Sequence, residues 1–134
     1  MPLLIGVFLA FAVGVFGTTS GLDRDRAFYP TVAIVVASYY ALFAVMGGAT
    51  TGVLVIECLL GGVFLVLATL GFRSSLWLVA IALAAHGVFD LAHGLLVANP
   101  GVPEWWPAWC LGYDVMAGGY LAWLIKSGRV RAAV

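Results

Sequence analysis

Charge is scarce in this chain. Six basic and six acidic residues among 134 make 9% of the total, against roughly 25% in an ordinary soluble domain. The remainder is 64% hydrophobic, more than a soluble fold this short could hide, because small domains leave much of their surface in water. Net charge is zero, and no basic run alternates with exposed aromatics, which excludes nucleic acid as a partner. Cysteine is limited to Cys58 and Cys110, with no C-x-x-C spacing, so neither a disulfide framework nor a closed zinc motif is indicated. The metalloprotease H-E-x-x-H is missing too. There is no internal repeat, low-complexity tract or soluble domain.

What remains is a set of apolar runs, each near the ~20 residues a bilayer requires. They predict an all-α integral membrane protein: one transmembrane domain over residues 1–134, a bundle of five transmembrane helices at about 3–19, 29–47, 50–72, 76–98 and 108–125. The first run is the shortest. It lacks a preceding basic residue and an A-x-A site, and reads as a retained span rather than a signal peptide. With five spans, Arg24, Arg26, Arg73, Lys126, Arg129 and Arg131 all fall on one side, which the positive-inside rule makes cytoplasmic. The N-terminus is then outside, the C-terminus cytoplasmic, and the location a cell (plasma) membrane. The loop Asn99 to Pro107 reads NPGVPEWWP; its prolines stiffen it, and Trp105, Trp106 and Trp109 fit an interfacial belt with Glu104 solvated. In the first run, Gly6, Ala10, Gly14 and Thr18 form a small-residue stripe suited to helix packing within the subunit or in a homo-oligomer.

Against this background His86, Asp90 and His93 stand out. Their H-x3-D-x2-H spacing places them within an arc of roughly 60° on one helix. Counting 1.5 Å per residue from the span midpoints, His86 lies near mid-membrane, with Asp90 roughly 5 Å and His93 roughly 10 Å outward. Glu57 on the third span and Asp114 on the fifth fall roughly 6 Å and 4 Å outward. Short connections make these spans neighbours, so all five groups are expected to converge on one site open to the outer face. Cys110, four residues before Asp114 and on its face, reads as inert packing rather than a soft ligand. Tyr39, Tyr40 and Tyr113 read as aromatic packing, each able to donate to a carboxylate.

Ionisable groups in hydrocarbon need a partner or a purpose. Imidazole with carboxylate suits a divalent transition metal: zinc, iron, manganese or copper. On this reading His86, Asp90 and His93 are core ligands, and Glu57 and Asp114 complete the coordination or act as general base, in a small membrane enzyme acting on a lipophilic or small molecule. One alternative is metal-free acid/base chemistry on a lipid or isoprenoid, an isomerase or cyclase. Another is a proton or metal-ion transporter, for which an inner polar path is missing from the sequence. The bland alternative pairs His86 with Asp90, and His93 with Glu57 or Asp114, as polar glue.

Overall fold

Each apolar run is bounded by residues that start or stop a helix. The computed structural model describes residues 1–134 and contains five long helices: α1 (Pro2–Ser20), α2 (Phe28–Met46), α3 (Thr51–Arg73), α4 (Leu76–Leu96) and α5 (Trp106–Lys126). α1 stops at Gly21, whose φ of 82° suits a residue without Cβ. Thr50 and Ser75 cap α3 and α4 by accepting the Val53 and Trp77 amides. Pro107 lies in the first turn of α5, where its missing N–H costs nothing. The helix bounds agree with the predicted runs to within two residues, the largest gaps being at the end of α4 and the start of α5. In α4, Leu96, not Ala98, is the last helical residue, because Val97 turns extended two residues before Asn99-Pro100.

Helices α1 to α4 are long and apolar enough to cross a membrane; α5 falls short on composition. Its tryptophans, tyrosines, glycines and Asp114 dilute the aliphatic content. The first helix, shortest of the predicted spans, is fully formed over 19 residues. Large apolar side chains such as Phe8, Leu59, Ile81, Leu91 and Leu95 point outward, while Glu57, His86, Asp90, His93 and Asp114 turn inward.

Helices α4 and α5 pack closely, α1 lies on the far side of α5, and α2 and α3 pair against α4. Missing side chains permit these approaches. A Cβ at Gly6 would strike the Trp109 carbonyl, and one at Gly112 would strike that of Leu3. The small-residue stripe of α1 is therefore used within the subunit. Although α1 and α2 are consecutive in sequence, their backbones stay apart, and Phe28 of α2 reaches across to Gly17. An apolar groove of about 600 Å³ separates them, floored by Trp109 and Tyr113.

Both ends of the bundle are tied. At one end the Arg26 guanidinium donates to the carbonyls of Phe72 and Arg131, and Ser75 bridges to Ala133. The α1–α2 turn, the α3–α4 turn and the C-terminal segment thus meet. At the other end Gly101 of the α4–α5 loop is pressed on the Phe43 carbonyl and Gly47. The helices consequently alternate in direction.

Candidate metal centre

Helix α4 faces inward with His86, Asp90 and His93, as their shared arc requires; all three are buried. Gly87 sets what they meet. A Cβ there would lie 3.1 Å from both the Asp114 Cβ and the Leu111 Cα, so its absence lets α5 close on α4 at this level. That approach puts Asp114 Oδ2 2.7 Å from His86 Nδ1. Cys110, one turn earlier on α5, puts its Sγ 3.3 Å from Asp114 Oδ2 and 3.9 Å from His86 Nδ1. Asp90 Oδ2 is also 3.9 Å from His86 Nδ1.

One nitrogen, one sulfur and two carboxylate oxygens thus lie within 4.8 Å of one another. This His86, Asp90, Cys110 and Asp114 group could hold a metal ion. Metal bonds of roughly 2.0 to 2.3 Å in a tetrahedron put donor atoms about 3.3 to 3.6 Å apart. The separations of 2.7, 3.3, 3.9 and 3.9 Å bracket that range. The group spans up to 4.8 Å, about an ångström wider than that range, so an ion would have to draw its ligands together.

The group is sealed: Asp90, Cys110 and Asp114 have no exposed surface and His86 has 3%. Inside it, neither oxygen of Asp90 meets a hydrogen-bond donor in good geometry, nor does Asp114 Oδ1. The Tyr40 hydroxyl lies beside Asp90 but is not engaged by it in a well-formed bond. An unbalanced carboxylate in such a place is costly by several kcal/mol.

His93 and Glu57 form a second, separate pair. His93 Nε2 is 3.0 Å from both Glu57 oxygens, and its ring stacks on Tyr40 with centroids 3.8 Å apart. Asn99, from the loop after α4, donates to Glu57 Oε1 at 2.8 Å and to the Tyr40 carbonyl. Seven residues along a helix is a rise of about 10.5 Å, too far for one ion to take both His86 and His93. The five residues expected to share one site therefore divide: His86, Asp90 and Asp114 join Cys110, while His93 and Glu57 join Asn99. Both groups are buried, so the expected open outer face is also corrected; the α4–α5 loop covers it.

Three residues gain roles that spacing did not assign. Cys110 is among the donors, and its position one turn from Asp114 was the available signal. Asn99 reads in sequence only as a helix stop. Asp23, 5% exposed at the opposite end, is bonded to Thr18, which also contacts the Tyr120 hydroxyl. In the loop only Trp105 is exposed as a belt residue should be; Trp106 is buried against Tyr39 and Phe43. Tyr113 faces away from the carboxylates and stacks on Trp109.

Comparison with protein-family models, curated proteins and solved structures finds no match to this chain.

Proposed function

We propose that this chain is an integral membrane protein that crosses the bilayer five times and holds one divalent transition-metal ion in its core, as a small membrane metalloenzyme. The observation that carries the reading is Asp90: a fully buried carboxylate with neither oxygen in a well-formed hydrogen bond, the Tyr40 hydroxyl and Cys110 thiol beside it, facing a histidine and a second aspartate. A cation balances such a charge where no donor does. Two carboxylates match one divalent charge, so the ion needs no thiolate. His86, Asp90 and Asp114 then serve as the ligands, and Cys110 stands at a fourth position, sealed in this structure, that a substrate reaches only if the α4–α5 loop moves aside. A metal held there supplies Lewis-acid chemistry.

Tying all six basic residues' segments to one end, with the Glu104 loop at the other, supports the fifth crossing and the outside N-terminus. The substrate is a small molecule admitted from the loop face.

Elemental analysis of protein purified without chelators tests the reading. About one metal per chain is expected in the wild type, falling severalfold in Asp90→Asn and His86→Ala. A folded, metal-free wild type from metal-replete cells would overturn it. One observation favours a metal-free second reading: the 2.7 Å His86–Asp114 contact is a hydrogen-bond length, as an acid/base dyad would have. The same analysis separates the two.

A further inference from the structure

Glu57, His93 and Asn99 take no part in the four-donor group, yet they bury an ion-pairing couple at evident cost. Two cavities give them a use. Beneath the α4–α5 loop lies an open depression of about 410 Å³, with Glu104 in its lining. Adjoining it at His93 is a small cavity of about 10 Å³, lined by Glu57, Tyr40, Phe64 and His86 among others, about the room one water needs. His93 lines both. It is the partition between solvent and the interior, and His86 stands on the far side of it. Asn99 also lines the depression and holds Glu57 from the loop side.

The geometry points to the depression as the access port of the metal centre, with His93 and Glu57 as the transfer site that takes a divalent cation from water and passes it to His86. This inference rests on the proposed centre. Glu104 is the only charge on the loop and attracts cations to the mouth. His93 Nε2 and the two Glu57 oxygens supply one nitrogen and two oxygen donors, a set that a borderline cation accepts. Replacing the Asn99 bond by a cation bond frees Glu57 to turn inward, so the loop contact acts as the latch. The other faces offer no such path, being covered with aliphatic side chains.

The test follows zinc uptake by the metal-stripped full chain in detergent, with zinc ions alone as the probe. Glu57→Gln is expected to slow uptake by about tenfold or more, with the final amount unchanged. Asn99→Ala, which removes the latch, is expected to speed it. Because the Glu57 variant could misfold, a second arm leaves the buried residues intact. In a Cys58→Ser background, Ala98→Cys at the depression is labelled with a bulky maleimide, which should slow uptake relative to the unlabelled protein. Equal rates in wild type, Glu57→Gln and labelled Ala98→Cys would overturn the port while leaving the centre standing. A wild type that takes up no zinc, manganese, iron or copper would remove the centre, and the port with it.

Discussion

At the scale of single residues, Asp90 divides the readings most sharply. If a cation balances it, Asp90→Asn loses the ion and lowers the melting temperature of metal-replete protein. If nothing balances it, removing an unpaired buried charge raises the melting temperature. Thermal unfolding with and without added metal distinguishes these, and a rise in both conditions would defeat the metal reading. Cys110 supplies a second test. Charge balance predicts that Cys110→Ala keeps about one ion per chain while Asp114→Asn does not; loss in both would make the sulfur an obligatory ligand. The ionisable residues themselves were legible in sequence because charge in an apolar run is conspicuous. Their grouping was not. A 60° arc spreads over neighbours on two sides, and the about 10.5 Å rise from His86 to His93 sends one toward α5 and the other toward α3. Asn99 was hidden for a different reason: a side chain that ends a helix and one that bonds a carboxylate look alike in a string of letters.

At the scale of elements, glycine decides which helices approach. Gly87 admits α5 to the level of His86, and Gly6 and Gly112 admit α1 to α5. Gly87→Val should separate α4 from α5, abolish metal binding and destabilise the fold by about 1 to 3 kcal/mol. Gly62, on α3, has nothing near its missing Cβ, and Gly62→Ala should leave both properties unchanged. Metal content and melting temperature measured on the pair would check this, and equal effects would show that the approach at Gly87 is not what assembles the centre. Helix boundaries were legible because Gly, Pro, Ser and Thr punctuate the apolar runs. Pairing was less so. Short connections correctly paired α3 with α4 and α4 with α5, but α3 and α5 stay apart, and nothing in the sequence says that α1 packs on α5.

At the scale of the whole molecule, the bundle has an end rich in arginine and an end closed by a proline-stiffened loop. In intact cells, Glu104→Cys should react with a membrane-impermeant thiol reagent, and Ser127→Cys only after permeabilisation. The reverse pattern would invert the orientation, and labelling of both would refute an odd number of crossings. Composition alone pointed to helices long and apolar enough to cross a membrane, and the structure contains four; charge placement supplies the orientation that this labelling tests. That α5 is the least apolar helix follows from its position: it carries donors on one face and meets α1 on the other, so little of it faces outward.

That same pairing of α1 with α5 carries a consequence for biogenesis. The first helix leaves the ribosome long before its partner exists: α5 is completed about a hundred residues later, an interval of about 5 to 20 s at ordinary synthesis rates. Throughout it, Gly6 and Gly14 of α1 lack the α5 residues that cover them, Trp109 and Tyr120; α2 covers only Gly17, through Phe28. The bundle closes on itself last, by joining the two ends of its own chain. Truncation ahead of α5 should therefore strand α1 as a separate helix, whatever the state of the α2–α4 group.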